Sequence, residues 1–291
     1  MIHNEHYDEG VQGETKKFNL GDFPLQQGAT LRSAWISYRT HGTLNTAKDN
    51  AILFPHMYSG SHKDMEFYLQ SGWACDPENY FIILPGQFGN GVSSSPSNTL
   101  PPYNMGAFPD VQIEDDVIAQ HRLVTEEFGI TELQLVTGWS MGAQQTYEWA
   151  IRFPDMVKRA APIAGTARCT PHDQIFIEAH MEQIKSDPNF NNGFYTEPHS
   201  CHVGLRRHAQ VWGVMGCCTE FYKTKAWRQY GFSSTNDFVQ GYYANWFLPM
   251  DPNNLLTMAW KWQHGDSSRN TNGDLAAALG RIKAKTFVIP F

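Results

Sequence analysis

The stretch that most constrains how this chain can fold is Leu133-Gln134-Leu135-Val136-Thr137-Gly138-Trp139-Ser140-Met141-Gly142-Ala143-Gln144-Gln145. An apolar run meets a glycine-flanked serine and gives way to helical spacing, so it reads as strand, sharp turn, helix. Gly138 and Gly142 stand two residues either side of Ser140. A serine at the apex of such a turn needs almost no side chain at those positions, because strand and helix pass closely there. The N-terminus of the following helix also offers backbone N–H groups that can receive negative charge. Ser140 is therefore the candidate nucleophile, with Gly138 and Gly142 forming its elbow. Short motifs arise by chance, so the flanks carry the weight.

The flanks repeat one pattern. Ala51–Pro55 and Tyr80–Pro85 are short, wholly apolar runs, the mark of strands covered on both faces. Each leads into a loop, His56 to His62 and the Gly/Ser-rich Gly86 to Ser97, the second expected to border the mouth of the site. Val111–Phe128 carries an apolar stripe, with Asp110 as its N-cap and Gly129 as its stop. Leu133–Val136 is the next strand, Ala143–Phe153 a helix ending near Pro154, and Ala160–Ala164 a small-residue strand weakened by Pro162. Ahead of these, Lys16–Leu20 and Leu31–Arg39 read as an antiparallel pair. Strands alternating with helices between residues 51 and 165 predict an α/β class with a mostly parallel sheet.

The texture changes after Thr166. Helices are expected over Pro171–Lys185, Leu205–Met215, Thr219–Tyr230, Thr235–Phe247 and Gly273–Gly280, and Lys285–Pro290 is a further buried-strand run. Residues 1–165 read as the core, 166–272 as a helical lid inserted over the sheet, and 273–291 as the return to the core.

Composition excludes several classes. The 22 Lys and Arg against 29 Asp and Glu give a net charge of −7 without a basic run, which argues against nucleic acid. No stretch approaches the length of a membrane helix, and the polar residues up to Gly13 hold no signal-peptide run. Cys75, Cys169, Cys201, Cys217 and Cys218 are odd in number and irregularly spaced, as expected of reduced thiols in the cytoplasm. Cys217 and Cys218 read as small apolar residues buried on a helix. His199, Cys201, His202 and His208 lack the paired spacing of a zinc site, and Gly86, Gly89 and Gly91 do not make a nucleotide fingerprint, so neither a metal nor a bound cofactor is expected.

The motifs together resemble the homoserine O-acetyltransferase branch of the α/β-hydrolase superfamily. Tyr38-Arg39-Thr40-His41-Gly42-Thr43-Leu44-Asn45, the loop His56-Met57-Tyr58-Ser59-Gly60, the elbow Ser140-Met141-Gly142 with Gln145, Glu148-Trp149-Ala150, Phe153-Pro154-Asp155 and Ala164-Gly165-Thr166-Ala167-Arg168 carry the resemblance, as does Lys185 to Asn191 with Gly193 and Tyr195. It implies an α/β-hydrolase fold, Ser140 as nucleophile of an acyl-enzyme, and oxyanion donors on the backbone of Tyr58 and Met141. His56 is then structural, marking the oxyanion loop. The partners implied are a small ester or thioester, with acetyl-CoA as acyl donor, and an alcohol acceptor. Transfer to that alcohol or to water, hence O-acetyltransferase or carboxylic-ester hydrolase, stays open.

Two departures bear on activity. The family's acid and histidine follow the strand matched by Phe287–Pro290, so this chain is expected to be C-terminally truncated, with acid and base not present. The alternative is then a catalytically inactive fold or fragment whose open sheet edge drives aggregation or a homodimer. Asp251, His264 and Asp266 follow Ser140 in triad order but precede that strand, so they read as lid surface. A lid arginine that would hold the homoserine carboxylate aligns with Gln210, while Arg206 and Arg207 lie a turn away as substitutes.

Overall fold

A computed structural model describes residues 2–290. Among the described residues seven strands form one sheet in the order β1-β2-β4-β3-β5-β6-β7. These are β1 (Lys16–Pro24), β2 (Thr30–His41), β3 (Ala51–Leu53), β4 (Phe81–Pro85), β5 (Leu135–Trp139), β6 (Arg159–Ile163) and β7 (Lys285–Thr286). The β1–β2 and β2–β4 pairs are antiparallel; every other pair is parallel.

The wholly apolar runs do lie at the centre. Ala51 and Leu53 of β3, with Phe81 and Ile83 of β4, face one core cluster; Ile52, Ile82 and Leu84 face another. The period of two therefore feeds a hydrophobic layer on each face, and every residue of both strands is buried. Pro162 is accommodated within β6 because its carbonyl accepts the Ile289 N–H at 3.1 Å. A strand residue's N and O point to the same side, so the missing N–H faces β7 rather than β5.

The helices packed on the sheet include α1 (Ile113–Arg122) and α2 (Met141–Arg152). Asp110 is not the cap of α1. Gln112 is, through a capping box in which the Gln112 N–H donates to Asp115 Oδ2 at 2.8 Å. Helical winding continues as a π turn over Leu123–Glu127 and ends at Gly129, whose φ of 62° is the left-handed stop.

Between β6 and β7 the described residues form helices and no strand. They include α3 (Pro171–Lys185), α4 (His202–Met215), the helical run from Thr235 to Phe247, and α5 (Pro252–Gln263). The sequence reading places no helix at α5. Thr219–Tyr230 is two short helices, broken where Lys225 takes φ 55°. Cys217 and Cys218 lie in the turn after α4, half-buried and exposed, not buried on a helix.

The Lys285–Pro290 run is not a buried strand. Its ladder continues to Ile289, which donates to Pro162 O, yet Phe287, Val288 and Ile289 are 45%, 57% and 46% exposed. Among the described residues β7 is outermost in the sheet, with a neighbour on one side only.

Candidate active site

The elbow begins with the backbone. Ser140 sits between β5 and α2 with φ 57° and ψ −122°, a conformation rarely tolerated outside glycine. Its N–H donates to Ile163 O at 2.9 Å and its carbonyl accepts the Ala143 N–H at 2.9 Å, so both neighbours fix the turn. The glycines show why the chain can make it. A Cβ on Gly138 would lie 2.5 Å from Gly142 O, and one on Gly142 would lie 2.6 Å from Pro55 O. A third glycine, Gly165, approaches equally closely: a Cβ there would lie 2.4 Å from Ser140 O. Its only sequence signal is its place beside Ala164 after β6.

The contact of Gly142 with Pro55 joins the elbow to the loop after β3. Since β3 and β5 are adjacent parallel strands, both loops leave the same end of the sheet. His56 shapes this second loop. Asn90 Oδ1 accepts the Val92 N–H, which orients its amide so that Nδ2 donates to His56 Nε2 at 2.9 Å. The ring proton then sits on Nδ1 and donates to Met57 O at 2.8 Å. Gln87 Nε2 donates to His56 O at 2.7 Å. Burial pushes the His56 pKa down to about 3, so the ring is neutral and braces the turn that presents Tyr58. Asn90 and Gln87 were not singled out from sequence; their loop reads there only as Gly/Ser-rich. Three of its serines, Ser93, Ser94 and Ser95, are buried, and Ser93 and Ser94 accept N–H groups of β2.

Tyr58 is buried, and its hydroxyl donates to Leu255 O of α5 at 3.2 Å. Met141, also buried, is the first residue of α2, where backbone N–H groups have no intrahelical acceptor. A cavity of about 430 Å³ lies beside the loop, lined by Tyr58, Ser59, Asn90, Trp246, Asn254 and Met258 among others.

His62, His264 and His208 are engaged elsewhere. His62 Nε2 pairs with Ser37 Oγ at 3.0 Å, and burial lowers its pKa to about 4. His264 stacks on Trp260 with ring centres 4.0 Å apart and donates to Trp260 O. Asp251 caps α5 and accepts the Tyr195 hydroxyl, while Asp266 caps the turn at Ser268. His208 lies in an aromatic cluster, apart from any metal-like group among the described residues.

Arg206, Arg207 and Gln210 lie on the exposed side of α4, whereas Leu205, His208 and Ala209 face inward. Arg206 donates to Gln240 and Arg207 to Ser186 O. None of the three lines the cavity beside Tyr58.

Comparison with known proteins agrees with this architecture. Residues 50–204 match the family model described as the alpha/beta hydrolase fold. The chain is 52% identical to an ethyl acetate hydrolase of Pseudomonas veronii, over 99% of this chain and 82% of that protein. It superimposes with a TM-score of 0.97 on an acetylester hydrolase from Corynebacterium glutamicum, at 52% identity, covering 100% of this chain and 84% of that one. A homoserine O-acetyltransferase of Methanobrevibacter ruminantium is more distant, 33% identical over 95% of this chain and 62% of that protein. The resemblance to the acetyltransferases thus holds at the level of the superfamily, with esterases the more similar relatives. An α/β sheet with a strained serine at the β5–α2 junction and a sequence match over more than half its length place this chain in the α/β-hydrolase family.

Proposed function

We propose that the chain is a carboxylic-ester hydrolase acting on small acetyl esters, with Ser140 as nucleophile. The observation that carries it is the backbone of Ser140, held at φ 57° by three glycine contacts and two hydrogen bonds. Ser140 Oγ forms a bond to the ester carbonyl carbon, and the carbonyl oxygen takes the electron pair. The backbone N–H groups of Tyr58 and Met141 receive that oxyanion; the tetrahedral intermediate then expels the alcohol, and water releases the acid from the acyl-enzyme. We place the activating acid and histidine after the Phe287–Pro290 run, as the resemblance to the acetyltransferases does.

Hydrolysis is favoured over transfer because the relatives named as hydrolases are the more similar. The test uses the protein expressed to its natural stop codon. It is offered ethyl acetate in one assay and acetyl-CoA with homoserine in another. Ethanol release that Ser140→Ala lowers at least about a thousandfold, with no O-acetylhomoserine, is expected. O-acetylhomoserine formation would return the function to acetyl transfer, and turnover by Ser140→Ala would remove Ser140 from the chemistry. Five free cysteines support a cytoplasmic location, and no helix among the described residues is long and apolar enough to cross a membrane.

A further inference from the structure

The loop that carries Tyr58 is tied to the helical region as well as to the sheet. Tyr58 OH donates to Leu255 O of α5, and Trp246 Nε1 donates to Ser59 Oγ at 2.9 Å. The Tyr58 ring lies nearly parallel to Trp212 of α4, centres 6.3 Å apart at 23°, and packs on Trp262 of α5 at 5.7 Å. Trp212 is itself held on several sides. It is close to parallel with Phe247 and Trp262, at 22° and 21°.

One hydrogen bond fixes the rotation of Trp212. Its Nε1–H donates to His208 Nε2 at 3.1 Å, so neutral His208 carries its proton on Nδ1. That proton faces His180 of α3, whose carbonyl and Nδ1 both lie at 3.2 Å. A directed relay of hydrogen bonds therefore runs from Trp212 through His208 to α3, and Trp212 cannot turn without breaking it. Two helices, α4 and α5, thus converge on Tyr58, and α3 holds α4 behind it. Helix α5, which supplies two of the contacts, is anchored to the core by buried Lys261, whose Nζ donates to Phe88 O at 2.8 Å.

We propose that Trp212 is a positioning residue that, through the Tyr58 ring, aims the Tyr58 backbone N–H at the oxyanion. This rests on the reading of Ser140 and Tyr58 given above. Ring and N–H hang from the same Cα, and the hydroxyl bond to Leu255 O with the packing on Trp262 limits how far the ring can turn about its own bonds, so its displacement by repacking of α4 is carried to the backbone. An oxyanion donor acts only within a narrow range of distance and direction, so a small change of aim lowers the rate without weakening ground-state binding.

The test compares Trp212→Leu, Trp212→Phe and Tyr58→Phe with the unaltered protein, expressed to its natural stop codon. Each is assayed for kcat and KM on a short acetyl ester. Affinity is measured for a methyl trifluoromethyl ketone, to which Ser140 Oγ adds to leave an oxyanion, and for the corresponding trifluoromethyl carbinol, to which it cannot add. Trp212→Leu is expected to lower kcat about tenfold to a hundredfold and to weaken ketone binding by a similar factor, with KM and carbinol binding within about threefold. Trp212→Phe keeps a ring against Tyr58 and restores part of the loss; Tyr58→Phe, which loses only the bond to Leu255, shows a smaller loss of the same kind. Unchanged kcat and ketone affinity, or losses confined to KM and thermal stability, would overturn the proposal. Should Trp212→Leu not fold, the two phenylalanine variants decide by the same ratio. Ser140→Ala separates the two levels: if it retains turnover, the underlying reading fails, whereas if it is inactive while the Trp212 variants are normal, only the positioning role fails.

Discussion

Lys261 of α5 and Asp116 of α1 form an ion pair in which both side chains are fully buried. The pair is completed by the backbone of Phe88, whose N–H donates to Asp116 Oδ1 and whose carbonyl accepts from Lys261 Nζ, each at 2.8 Å. Burial pushes the Asp116 pKa up and the Lys261 pKa down, and each shift is opposed by the partner's charge. Removing one member strands the other. Lys261→Met is expected to cost about 3–5 kcal/mol in urea unfolding, whereas adding Asp116→Asn, which keeps an acceptor for Phe88 N–H, recovers most of it. Equal stability of the single and double variants would show that the pair does not act as a unit.

The elbow stores strain that a serine bears and a glycine would not. Ser140→Gly is expected to abolish turnover yet raise stability by about 1 kcal/mol, since a non-glycine side chain at such a backbone costs about 1–3 kcal/mol. Gly142→Ala acts in the opposite sense. Its methyl would meet the Pro55 carbonyl at 2.6 Å, which is backbone and cannot swing aside. Both activity and melting temperature should fall, and a Gly142→Ala protein with normal kcat would contradict the steric account of the elbow.

Acid sensitivity follows from the buried histidines. Burial lowers the pKa of His56 to about 3 and of His62 and His208 to about 4, and it lowers His180 further. Unfolding restores values near 6.5, so below that pH the unfolded chain binds protons that the native state refuses. Stability is therefore fully present above about pH 6.5 and is lost as pH falls toward about 4, at up to about 1.4 kcal/mol per pH unit for each histidine. Urea midpoints at pH 7.5 and pH 5 test the sign. His208→Asn is expected to flatten the slope by about one proton, and an unchanged slope would exclude His208 from it.

Arg206, Arg207 and Gln210 are solvent-facing, and the hydrogen bonds of the two arginines run to Gln240 and Ser186. Their replacement by alanine is expected to change KM for a short acetyl ester by less than about twofold, in line with substitutions at exposed sites. A tenfold rise in KM would bring α4's outer face into substrate binding.

What the sequence makes legible is local and steric. Gly138, Ser140 and Gly142 are readable because two small residues around a serine have few other uses at a strand-to-helix junction. Period-two burial makes β3 and β4 readable in the same way. The same apolar signal says nothing of what covers a strand, and among the described residues Phe287, Val288 and Ile289 are exposed. Helix α5 has a start signal, Asp251 as N-cap with Pro252 next, but Pro249 just before it reads as a break. The burial of Lys261 leaves no local trace in the sequence, because its partner, Asp116, is 145 residues away. The bracing of Tyr58 by Trp212, His208 and Asn90 is likewise non-local, and only packed coordinates bring those residues together.

The contact between Gly142 and the Pro55 carbonyl also has a temporal side. It joins segments roughly ninety residues apart, and such contacts form late because loop closure must precede them. The two proposed oxyanion donors ride on those segments, so neither segment supplies the pair alone. Refolding should restore helical circular dichroism before it restores reactivity at Ser140, and the lag between the two signals would time the docking of β5 against β3.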